Sequence, residues 1–120
     1  MQSIDPGEAQ IFALAAEKGI VVVTGDKRAL RSLKNIPEFT AALAGRIVVL
    51  EAVLFILCGQ FGSAEIRRRV QRLVSHDKMV NVCFSPNNSD PEGALLSYYR
   101  SLEVELAPLV LWDPQMGAQK

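Results

Sequence analysis

The sequence predicts an α/β fold with a short parallel sheet, followed by a mainly helical C-terminal segment. Three observations predict it. Ile20-Val21-Val22-Val23 is an unbroken β-branched run, the mark of a strand buried on both faces. Helical patterns stand before and after it, in the order that α/β layers require. A second short run, residues 46–49, repeats the strand signal after two short helical stretches. The α/β part is assigned to residues 4–62 and the helical extension packing on it to residues 63–120.

The elements follow in order from local chemistry. Asp5 is placed as an N-cap, Pro6 as the first helical residue, and Glu8 where a capping box wants a carboxylate. Ile11, Phe12, Leu14 and Ala15 continue that helix until Gly19 closes it. After the strand, Thr24-Gly25-Asp26 turns the chain into a helix from Lys27 to about Leu33, which Asn35-Ile36-Pro37 breaks. Glu38 to Ala44 forms another short helix, closed by Gly45. From about Leu50 to Phe61 the pattern is apolar nearly all round apart from Glu51, so this helix is either central to the core or covered by a partner. Ser63 is expected to cap a single helix through Val74 carrying Arg67, Arg68, Arg69 and Arg72. Met79 to Phe84 favours helix over strand, residues 85–89 form a loop, and Ser89 or Asp90 caps a helix from Pro91 to about Leu106. The tail from Met116 is expected to be loose.

Composition narrows the classes. The 120 residues suit one compact domain, and 49% hydrophobic against 22% charged residues is enough apolar material for a core. Thirteen basic and 13 acidic side chains cancel, which excludes a strongly cationic nucleic-acid coat and an acidic tail binder. Cys58 and Cys83 are too few for a disulfide scaffold or a four-cysteine zinc site. The polar first ten residues lack the basic start of a signal peptide, and the most apolar stretch, residues 47–58, is far short of the roughly 20 residues that span a bilayer. The expectation is a cytoplasmic protein with reduced thiols and no membrane contact.

The candidate chemistry sits at the end of the first strand. A helix of about 12 residues rises about 18 Å, and a return strand of about five covers roughly 16 Å. Glu8 and Asp26 should therefore meet at the carboxyl edge of the sheet, where α/β folds bind ligands. Two convergent carboxylates there are a minimal site for magnesium or manganese, which activates water for phosphodiester hydrolysis. The competing explanation is purely local: Glu8 completes a capping box and Asp26 caps the second helix.

Gly7-Glu8-Ala9-Gln10-Ile11-Phe12-Ala13-Leu14-Ala15, followed by Val21-Val22-Val23-Thr24-Gly25-Asp26-Lys27-Arg28-Ala29, resembles the C-terminal half of a PIN domain. The resemblance covers about residues 4–62. It implies part of a three-layer α/β/α fold and a magnesium- or manganese-dependent ribonuclease, a family that includes many toxins of bacterial toxin–antitoxin pairs. It implies catalytic and metal-holding roles for Glu8 and Asp26, with Thr24 as polar support. Lys27 and Arg28, directly after Asp26, either neutralise a phosphate beside the metal or merely decorate the helix. The family's first two acids precede the matched motifs and have no counterpart here, since Glu38 and Glu51 come after those motifs, in the wrong order to replace them. The resemblance thus implies a fragment of a longer protein, a degenerate site, or a site that another chain completes.

Other residues admit two readings each. Arg67, Arg68, Arg69 and Arg72 can contact nucleic-acid phosphates, or pair with the acidic segment of residues 90–113 within the fold or between subunits. No aromatic residue interleaves with them, as a single-stranded platform requires. Ser75-His76-Asp77 holds the residue types of a triad, but neighbours on a helix diverge and cannot relay a proton. Cys58 and Cys83 read as inert core residues, and Tyr98, Tyr99 and Trp112 as packing anchors. The rival to a nuclease is a non-enzymatic interaction module, a homo-oligomer or the partner of another protein, suggested by the apolar segment 47–58 and the opposite charge blocks.

Overall fold

The computed structural model describes residues 6–117, in which the chain alternates helix and strand up to Val49 and is helical thereafter. Helix α1 (Pro6–Lys18) leads to β1 (Val22–Thr24), then α2 (Lys27–Leu33), α3 (Pro37–Ala42) and β2 (Ile47–Val49). The remainder is α4 (Leu50–Phe61), α5 (Ser63–Arg69), α6 (Gln71–Val74), α7 (Lys78–Cys83), α8 (Pro91–Leu106) and α9 (Pro114–Gly117). Helix α1 is described from Pro6, and the Asp5 cap lies outside the described residues. Gly19, at φ +69°, takes the left-handed conformation that ends α1 and lets the chain reverse into β1.

Strands β1 and β2 pair in parallel, with Val22 opposite Ile47 and Thr24 opposite Val49. The crossover runs through α2 and α3. On the far side of β2, Leu111 forms a parallel bridge with Ile47, and the Trp112 N–H donates to the Ile47 carbonyl at 2.8 Å. That third strand-like contact has no pattern in the sequence, because it involves a single residue. It makes β2 the inner strand and β1 the edge.

The edge position corrects one expectation. The β-branched run is not buried on both faces: Val22 is buried, but Val21 is 55% exposed and Val23 65%. Alternation on a strand sends Val22 to the face covered by Phe12 and Ala15 of α1 and sends its neighbours to the other. Two details of the next helices also differ. The helix after Gly62 breaks at Val70, whose ψ of 9° leaves the helical region while its side chain enters the core. Gly62, not Ser63, occupies the cap position there, and no side chain caps that end.

Two apolar clusters hold the molecule together. One gathers Phe12, Leu30, Leu33, Ile47 and Val49 with Tyr99, Leu106 and Leu111. The other joins Leu54 and Cys58 of α4 to Ile66, Val80, Phe84 and Leu95. Both therefore draw on residues from either side of position 62, and α8 contributes to each. Helix α4 packs against α5, α8, α9 and β2, which places the apolar helix centrally. No helix among the described residues is long and apolar enough to cross a membrane.

Candidate functional site

The carboxyl edge of the sheet is built by short-range hydrogen bonds. After Thr24 ends β1, its hydroxyl oxygen accepts the Asp26 N–H at 3.0 Å and fixes the turn. Asp26 is the N-cap of α2, and its Oδ1 accepts the Ala29 N–H at 3.1 Å. The same carboxyl group is hydrogen-bonded to the side chain of Glu8, in the first turn of α1. The Asp26 pKa lies below the ordinary carboxylate value, chiefly because the Ala29 N–H stabilises the anion, with further help from Glu8 and the Arg28 charge. Thus the structure brings Glu8 and Asp26 within hydrogen-bonding reach, while Asp26 also serves as a helix cap. The capping and site roles are not exclusive, since a carboxylate has two oxygens and about four lone-pair sites.

Two carboxyl groups in mutual contact cannot both stay ionised without a counter-charge. Either a proton lies between them or a cation replaces it. Magnesium is held in many sites by one or two carboxylates, with water and phosphate oxygens completing its shell. Among the described residues, no group of three or more His, Cys, Asp or Glu side chains comes together as a metal centre.

Lys27 does not complete this pair. Its Nζ lies 2.9 Å from Oε2 of Glu51, which is 1% exposed in the first turn of α4. The other oxygen of Glu51, Oε1, is buried with no hydrogen-bond partner. The sequence offered one signal for this residue, a single acid in an otherwise apolar run. The signal marked Glu51 as an anomaly and gave no partner, because Lys27 lies 24 positions away across the crossover.

The arginines separate. Arg67 is half-buried and donates to the carbonyls of Phe84, Ser85 and Asn88, at 3.3, 3.5 and 2.7 Å, so it ties down the loop before α8. Arg68 and Arg69 both reach Glu65 one turn earlier, at 2.6 Å. Arg72 is exposed on α6. The acidic segment pairs elsewhere: Glu105 with Arg31, and Glu103 and Asp113 with Arg100. The two charge blocks thus form no ion pair with each other among the described residues.

Asp77 is the N-cap of α7, its Oδ1 accepting the N–H groups of Met79 and Val80, and His76 is exposed beside it. Cys58 and Cys83 are both buried and free. Burial raises both thiol pKa values, that of Cys83 to about 11 with Glu51 adding to the shift. Tyr99 is fully buried and its hydroxyl donates to the Trp112 carbonyl at 3.0 Å, while Tyr98 stays partly exposed. No family model, curated protein or solved structure matches this chain.

Proposed function

We propose that the chain is a PIN-like, nucleic-acid-associated domain in which Glu8 and Asp26 hold one Mg2+ or Mn2+ and form part of a centre for RNA phosphodiester hydrolysis. The contact between the Glu8 and Asp26 carboxyl groups at the carboxyl end of β1 carries this reading. The bound cation supplies polarisation of a phosphate and activation of water. Thr24 holds the Asp26 backbone, the Ala29 N–H orients its carboxylate, and Arg28 adds positive charge beside it. With two carboxylates alone the cation is held weakly, so a further chain or segment is needed for full activity.

Calorimetric titration with Mn2+ tests the reading on the wild type, Glu8→Gln and Asp26→Asn. Asparagine keeps the helix cap, so fold and site are separated. Saturable binding that both substitutions abolish is expected. Equal heats for all three proteins sink the cation role.

A second reading, a non-enzymatic interaction module, has its own observation. Ile20, Val21 and Val23 are 49, 55 and 65% exposed, so the edge strand β1 and the residues before it leave apolar side chains uncovered. Light scattering after size exclusion separates the readings. A stable oligomer without Mn2+ binding favours the module.

A further inference from the structure

The carboxyl ends of both strands also lead into a cleft of about 460 Å3 walled by α2, α4, α7 and α8. That volume lies in the usual range for small-molecule sites. Glu51 lines it, with Oε2 on Lys27 and Oε1 without a partner. A buried carboxylate oxygen left unpaired carries a full desolvation penalty, and an incoming N–H relieves it. Charge-assisted bonds from an ammonium are the strongest form of that relief.

The other polar groups of the cleft divide into engaged and free. Arg31 is bound to Glu105, and Asp77 Oδ1 caps α7. Lys78, Tyr98 and Ser101 line the same cleft, and their side chains make no hydrogen bond or ion pair within the described residues. Three basic residues, Lys27, Arg31 and Lys78, face three acidic ones, Glu51, Asp77 and Glu105. This neutral lining disfavours a lone anion and a lone cation alike. It suits a molecule carrying both charges.

We propose that this cleft binds a small zwitterion of the amino-acid type, its ammonium donating to Oε1 of Glu51 and its carboxylate meeting Lys78. Glu51 is 1% exposed and Lys27 29%, so Lys27 sits nearer the rim of the cleft and the carboxylate nearer its floor. Met79 and Leu102 supply the apolar wall for the ligand's carbon skeleton. The site is separate from the Glu8–Asp26 pair and does not rest on the cation reading.

The test is a two-dimensional NMR titration of the whole chain with free L-amino acids, their N-acetyl derivatives and their amides. Saturable shifts at the backbone N–H groups of Glu51, Met79 and Ser101 are expected with a free amino acid. Blocking either the amine or the carboxylate should weaken binding at least about tenfold, the scale of one lost charge-assisted bond. Glu51→Gln should do the same. If that variant misfolds, Lys78→Ala decides, because Lys78 is exposed and its side chain makes no hydrogen bond or ion pair among the described residues. Equal binding of the N-acetyl forms overturns the proposal, as does a complete lack of shifts. Movement of the same resonances by Mg2+ alone also overturns it, showing a cation site instead.

Discussion

Replacing Lys27 by methionine isolates the energetic weight of the buried carboxylate. The wild-type pair joins a lysine that is 29% exposed to a glutamate that is 1% exposed, at 2.9 Å. Methionine keeps much of the lysine stem and removes the ammonium, leaving Glu51 buried with neither oxygen paired. Breaking a buried pair from one side costs about 3–5 kcal/mol, but water can partly reach the rim that Lys27 occupies, so about 2–3 kcal/mol is expected. At roughly 4 °C per kcal/mol for a chain of this length, the melting point should fall about 10 °C. Urea denaturation of wild type, Lys27→Met, Glu51→Gln and the double variant completes a cycle. The double variant should be more stable than Lys27→Met, since an amide is less costly to bury than a charge, and the coupling should exceed about 1 kcal/mol. A loss under about 0.5 kcal/mol in Lys27→Met, or a coupling near zero, would refute the reasoning that the buried Glu51 charge depends on Lys27.

Other consequences can be measured on the same protein. Asp26→Ala should lose about 1 kcal/mol through the missing cap on Ala29, whereas Asp26→Asn should lose little. Because folding lowers the Asp26 pKa, its contribution is present above the unfolded carboxylate value and fades as pH falls through the folded one; acid unfolding below about pH 4 should therefore be shallower in Asp26→Asn. Neither buried thiol should react with a thiol reagent at pH 8 in the native state, and both should react in denaturant, since Cys83 titrates only near 11. Arg67→Ala should cost about 1–3 kcal/mol and raise hydrogen exchange in residues 84–90, because three carbonyls lose their donor.

Much of the local structure was legible in the sequence. Gly19 and Asp26 mark the end of α1 and the start of α2 by backbone chemistry that acts over three or four residues. Asp90 and Pro91 mark the start of α8 in the same way, with Oδ1 of Asp90 accepting the Gly93 N–H at 3.0 Å. The length argument that set Glu8 near Asp26 held less well, since α1 has 13 residues and β1 only three rather than about five, so the side-chain contact between the two acids is a product of the tertiary structure.

Burial was another matter. The run Ile20 to Val23 carries the composition of an interior strand, yet whether a second strand covers its far side depends on what packs there, which composition does not encode. Glu51 looked like an accident in an apolar helix until the crossover through α2 and α3 set Lys27 against it. Arg67 looked like its neighbours on the sequence, and only the loop folding over it turned its guanidinium to the carbonyls of Phe84 and Asn88. Local hydrogen bonding and periodicity are short-range properties of the chain, so the sequence by itself determined most of the helices and the caps at Asp26 and Asp90, but not the break at Val70 or the bridge at Leu111. Solvent access and ion pairing are properties of distant segments brought together, so only the tertiary structure decided which charges are buried, which are engaged, and which are left to meet a ligand.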